Sequence, residues 1–141
     1  MPILNYTTKI SANKSIGEIQ EILVEHGANK IVCDYSEDKT PSSVTFGLWM
    51  GDRMTYFSLP ANYTGVLKAM EKEKKIPRSF CTKDQAVRIA WRILKDWIEA
   101  QCAIIEAGLA EMPEIFLPYA VTKSGSTLYK EIKEGQHKLL S

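Results

Sequence analysis

The chain has 141 residues, of which 45% are apolar and 25% charged, the size and balance of a single globular domain rather than two. Eighteen Lys and Arg face seventeen Asp and Glu, a net charge of +1 that removes any global electrostatic reason for a nucleic-acid or membrane-surface partner. No apolar run approaches the ~18 residues of a membrane span, and Met1 to Lys14 lacks the basic start and apolar stretch of a secretion signal, so a cytoplasmic protein is expected.

In chain order, Ile3 to Ile10 is rich in Tyr and Thr and reads as an entry or edge strand. Ser15-Ile16-Gly17-Glu18 has the Ser-x-x-Glu form of a capping box, and Ile16, Ile19, Ile22 and Leu23 then recur at helical spacing. Gly27 stands where a left-handed cap closes a helix, which predicts a helix over about 16–26. Lys30 to Tyr35 follows as a short strand and Ser36 to Ser43 as a turn. Val44, Phe46, Leu48 and Met50 alternate with Thr45, Gly47 and Trp49, the period of a strand with one buried face. Gly51-Asp52 suits a tight hairpin, after which Arg53 to Leu59 returns as another strand and Pro60 stops it. The expected fold class is therefore α+β, a small mostly antiparallel sheet of order β-α-β-β-β. Asn62 is placed to cap a short helix carrying Val66, Leu67 and Met70.

Thr82-Lys83-Asp84-Gln85 is a second capping box, and the helix it opens runs to about Ala107 with Gly108 as its stop. Arg88, Arg92, Lys95, Glu99 and Glu106 share one stripe of it. Val87, Trp91, Leu94, Ile98 and Ile105 occupy one apolar flank, and Ala86, Ala90, Ile93, Trp97 and Ile104 the other. Together these cover roughly 220° of the wheel, wider than the ~100° stripe that suffices against one sheet. The C-terminal elements can cover part of this arc, since Met112 to Val121 is apolar and Leu128, Tyr129 and Ile132 repeat helically. A homo-oligomer through the long helix is expected to cover the rest. Ser124-Gly125-Ser126 is a turn able to cap the final helix, so residues 1–141 form one domain.

Catalytic sets are thin. The three cysteines, Cys33, Cys81 and Cys102, form no Cys-x-x-Cys pair, and His26 and His137 lie far apart, so no structural zinc site is expected and the thiols read as reduced. Cys102 falls inside a helical apolar pattern as a small core residue. His26, just before Gly27, suits a helix end, and His137 sits in a polar tail. No glycine-rich phosphate loop and no nucleophile elbow is present. Asp34, Glu37, Asp38 and Asp52 are explained by turns without a cation. No cofactor, no metal and no catalysis are expected.

Charge distribution is the positive signal. Residues 71–95 hold 8 basic and 3 acidic side chains, whereas residues 1–70 hold 6 and 7 and residues 96–141 hold 4 and 7. This block contains Arg78, Arg88 and Arg92. Arg88 and Arg92 are i,i+4 near the start of the long helix, where the dipole favours anions, and guanidiniums grip phosphates through paired hydrogen bonds. Trp49, Tyr56, Phe57, Tyr63 and Phe80 are available to stack on a base. The competing explanation is a solvated stripe of Arg92–Asp96 and Lys95–Glu99 pairs. The candidate ligand-binding set is Arg78, Arg88, Arg92, Trp49 and Tyr56.

The runs Met1-Pro2-Ile3-Leu4-Asn5-Tyr6-Thr7-Thr8, Ala90-Trp91-Arg92-Ile93-Leu94-Lys95-Asp96-Trp97 and Phe116-Leu117-Pro118-Tyr119 resemble a family of small proteins of phages, prophages and mobile elements without established activity. In size and architecture the chain is similar in outline to phage sponges that sequester immune nucleotide signals, such as the Thoeris anti-defence proteins. That resemblance implies a non-catalytic binder of a small anionic, nucleotide-derived ligand in the host bacterial cytoplasm. The alternative is an adaptor or inhibitor that engages nucleic acid or a host protein through residues 71–95.

Overall fold

The computed structural model describes residues 3–135. The expectation of a solvated His137 lies outside them, as do Met1 and Pro2. The first element is α1, Ala12–Glu25, whose N-cap is Ser11, with its hydroxyl accepting from the backbone of Lys14. Ile16, Ile19 and Leu23 face the core. At its end, Gly27 takes φ +105°, and the amides of Gly27 and Ala28 donate back to Val24 and Leu23, the paired bonds of a left-handed cap.

Three antiparallel strands follow, β1 (Lys30–Tyr35), β2 (Pro41–Met50) and β3 (Arg53–Pro60), in the order β1-β2-β3. Met50 pairs with Arg53 across the Gly51-Asp52 hairpin, where Gly51 adopts φ +67°. Val44, Phe46, Phe57 and Leu59 are fully buried on one face, with the Phe46 and Phe57 rings stacked at 5.3 Å. The other face carries Val32, Trp49 and Tyr56, all exposed. A Cβ at Gly47 would lie 2.7 Å from the Met54 sulfur and 3.1 Å from the Tyr56 ring, so a larger residue there requires those side chains to shift.

Beyond the sheet come α2 (Tyr63–Lys72), a 3₁₀ turn at Arg78–Phe80, α3 (Lys83–Glu106), α4 (Met112–Phe116), a 3₁₀ turn at Leu117–Tyr119, and α5 (Leu128–Lys133). The long α3 lies across the buried sheet face, and its Trp91 indole donates to the Pro41 carbonyl at 3.0 Å. Phe116 closes the core edge-on to Phe46, and Trp97 packs edge-on to Phe116. The free edge of β3 is covered by Ala120 and Val121, whose amide donates to the Tyr56 carbonyl at 2.7 Å.

The α+β class is as expected, but the sheet has three strands, not four. Ile3 to Ile10 forms a turn and an irregular run along α3. Gln85 Nε2 donates to the carbonyls of Tyr6 and Thr8 at 2.9 Å each, replacing the ladder that a strand would need. Ile3 and Tyr6 pack on a second core of Met70, Ile76, Ala86 and Ile89, shared with Val66, Leu67 and Phe80. The second apolar flank of α3 is thus covered, over its first half, by α2 and the N-terminal run. Ile104, further along, remains 37% exposed.

Two capping expectations also change. Ser15 is buried in the second turn of α1 rather than capping it, because Ser11 takes that position. Thr82 caps α3 by accepting from the Gln85 amide at 3.2 Å, yet the Gln85 side chain turns to the N-terminal run instead of closing a box. Among the described residues no helix is long and apolar enough to cross a membrane.

Candidate anion site at two helix N-termini

Contacts between α1 and α3 advance in the same direction along both. Ser15 meets Arg92, Glu18 meets Arg92 and Lys95, and His26 Nε2 lies 3.0 Å from Glu106 Oε1. The two helices are therefore parallel neighbours, and their N-termini open at one end of the molecule. Each retains amides that no intrahelical carbonyl can satisfy, and α3 begins about two turns before α1.

A cleft of about 340 Å³ lies at that end, lined by Lys9 and Ser11 before α1, Lys39 and Thr40 from the β1–β2 turn, and Asp84 and Arg88 from α3. Three cationic side chains thus face one carboxylate. Lys39 is carried at φ +66°. Its turn is braced by Asp38, whose carboxylate accepts from Ser36 Oγ and the Thr40 amide and pairs with Lys83 Nζ at 2.6 Å. Lys83, then Ser36 and Thr40, hold the Asp38 carboxyl well below the usual carboxylate range.

Arg88 is oriented before any ligand arrives. Its Nε and Nη2 donate to Gln85 Oε1 at 2.9 and 2.6 Å, while Gln85 Nε2 is anchored on the N-terminal run. The fork is thereby held half-buried at the cleft, with Nη1 making none of these bonds. Guanidinium planarity makes this a fixed donor array rather than a mobile point charge.

The other candidate residues are placed elsewhere. Arg92 is buried between the helices, donating from Nε to Ser15 Oγ at 3.2 Å and from Nη1 to Glu18 Oε2 at 3.4 Å. Its Nη2 approaches Glu18 Oε1 at 3.1 Å as an ion pair without hydrogen-bond alignment. Of the two expected pairs, Arg92–Asp96 does not form, whereas Lys95–Glu99 closes at 2.6 Å and raises the lysine's affinity for its proton. Arg78 donates to the Glu71 carbonyl at 3.3 Å, at the end of α2. Trp49 and Tyr56 occupy the sheet face opposite α3, so the sheet stands between them and Arg88. Arg88 is thus not brought together with Trp49 and Tyr56.

Lys9, Ser11 and Lys39 carry no mark of a site in the sequence. Ser11 lacks a Glu or Gln three residues on, so Ser15-x-x-Glu18 gives the stronger capping pattern. Other clefts lack this combination. An apolar groove of about 630 Å³ runs past Val66, Ile93, Trp97 and Tyr119 with no charged lining. A cleft of about 500 Å³ places Lys130 and Lys133 near Ser43, Ser58 and Tyr129. Those lysines stand in the last turn of α5, where the helix end itself is negative. The cleft at Arg88 instead lies where α1 and α3 begin, beside the positive ends of both helices. Comparison of the chain with protein-family models, with curated proteins and with solved structures finds no match.

Proposed function

We propose that this protein binds a small anionic, nucleotide-derived ligand and sequesters it unchanged, as a phage-type accessory protein. The observation that supports this reading is the convergence of Arg88, Lys9 and Lys39 on the paired N-termini of α1 and α3. Backbone amides and a preset guanidinium fork are the donors that a phosphate or pyrophosphate needs. Ala12, Pro41 and Val87 give the same cleft an apolar wall for the uncharged part of the ligand. Its volume lies at the small end of ligand pockets, which favours a mononucleotide-sized molecule over a polymer. The choice of a signalling nucleotide comes from the resemblance to phage sponges.

Calorimetry against ADP-ribose derivatives and cyclic di- and trinucleotides tests the proposal. Arg88→Ala should lower affinity about ten- to a hundredfold, the worth of a charge-assisted hydrogen bond, and Arg88→Lys should recover part of it. Ligand released by heat should be chemically intact. Undiminished binding by Arg88→Ala would reject the site, and a modified product would make the protein an enzyme.

A further inference from the structure

The two edges of the sheet are treated differently. That of β3 is covered by Ala120 and Val121, whereas no described residue pairs with the outer edge of β1. Every second residue of an edge strand presents unpaired amide and carbonyl groups, and proteins usually blunt such edges or use them. Here β1 is six residues long, contains no proline, and places Val32 53% exposed at its middle.

We propose that β1 is the contact by which two copies of this chain join, edge to edge and antiparallel about a two-fold axis at Val32. The argument is the strand's self-complementarity. In that register Val32 meets Val32 of the second copy, and Ile31 meets Cys33 on the inner face. Lys30 falls opposite Asp34, twice by symmetry. Lys30, Val32 and Asp34 share the outer face, because Ile31 and Cys33 pack against the core. The sequence Lys-Ile-Val-Cys-Asp therefore reads as charge, apolar, apolar, apolar, opposite charge, which is what an isologous strand contact requires. Shifting the register by one residue would set the charged and apolar faces against each other. Asp34 is already held on the outer face, since its Oδ2 accepts from Ser43 Oγ of β2 at 3.1 Å. The register irregularity between Asp34 and Tyr35 ends the regular strand just past this pair. Joining would make one six-stranded sheet from two three-stranded ones and cover both valines. Assembly, expected on α3, is assigned instead to the sheet edge, because α3 is largely covered by its own chain.

Charge reversal provides the test. By sedimentation equilibrium at tens of micromolar, the wild type should show a particle of twice the 15.9 kDa chain mass. Lys30→Asp and Asp34→Lys each set like charges opposite one another and should raise the dimer dissociation constant about tenfold or more. The combined Lys30→Asp/Asp34→Lys swap restores opposite charges and should return it to near the wild-type value. Amides of β1 should gain hydrogen-exchange protection as wild-type concentration rises, a readout that needs no variant. Ile104→Glu should leave the dimer intact. A wild-type monomer, equal affinity in the single variants, a double swap weaker than either single, or loss of the dimer in Ile104→Glu would each overturn the proposal.

Discussion

Replacing Arg92 by Met should destabilise the fold without touching the ligand site. The guanidinium is buried between α1 and α3, with its side chain 9% exposed against 30% for Glu18. Removing one partner of a buried ion pair costs about 3–5 kcal/mol when the remaining charge is fully enclosed. Glu18 is not fully enclosed and keeps Lys95 at 3.5 Å, so roughly half of that applies. Ser15 Oγ, wholly buried, also loses its donor, a further cost of about 1 kcal/mol. Methionine preserves most of the stem packing and adds no new polar group. The expected loss is about 2.5–3.5 kcal/mol, or a fall in Tm of roughly 10–14 °C for a chain of this size. Urea unfolding followed by circular dichroism would measure it, with calorimetry on the same variant to show that ligand affinity persists. A loss below about 0.5 kcal/mol, the range of an ordinary surface substitution, would refute the view that Arg92 ties the two helices together.

Cys102 is buried on α3, and burial, with Glu106 adding to it, pushes its thiol from an ordinary value of 9.0 up to about 11. The folded state thus holds this proton more tightly than the unfolded one. Stability should be full below pH 9 and decline between about pH 9 and 11, and that decline should be smaller in Cys102→Ala, as urea titrations at stepped pH would show. Gel shifts should find weak or no nucleic-acid binding at physiological salt, because Lys83, Arg92 and Lys95 of the basic block are paired with Asp38, Glu18 and Glu99. Tight, salt-sensitive binding would instead favour an adaptor working through the exposed Lys72, Lys74, Lys75 and Arg78.

Where a signal is carried by neighbours in sequence, the residues by themselves determine the element. Lys30–Tyr35, the Gly51-Asp52 hairpin, the Gly27 cap and the span of α3 all depend on alternation, helical spacing or a glycine's conformational freedom, which act within a few residues. Cys102 as a core residue belongs with them. Partners distant in sequence were decided only by the tertiary structure. Ile3 to Ile10 has strand-like composition but joins no sheet edge, because Gln85, 79 residues beyond Tyr6, takes its carbonyl and holds the run along α3. Arg88 and Arg92 share one helix face and looked alike. The parallel approach of α1 brings Ser15 and Glu18 onto Arg92, while one turn earlier α1 has not yet begun and Arg88 is left at an open cleft. Which arginine is consumed by the fold and which is left for a ligand depends on where the neighbouring helix begins, and no local pattern around either residue encodes that.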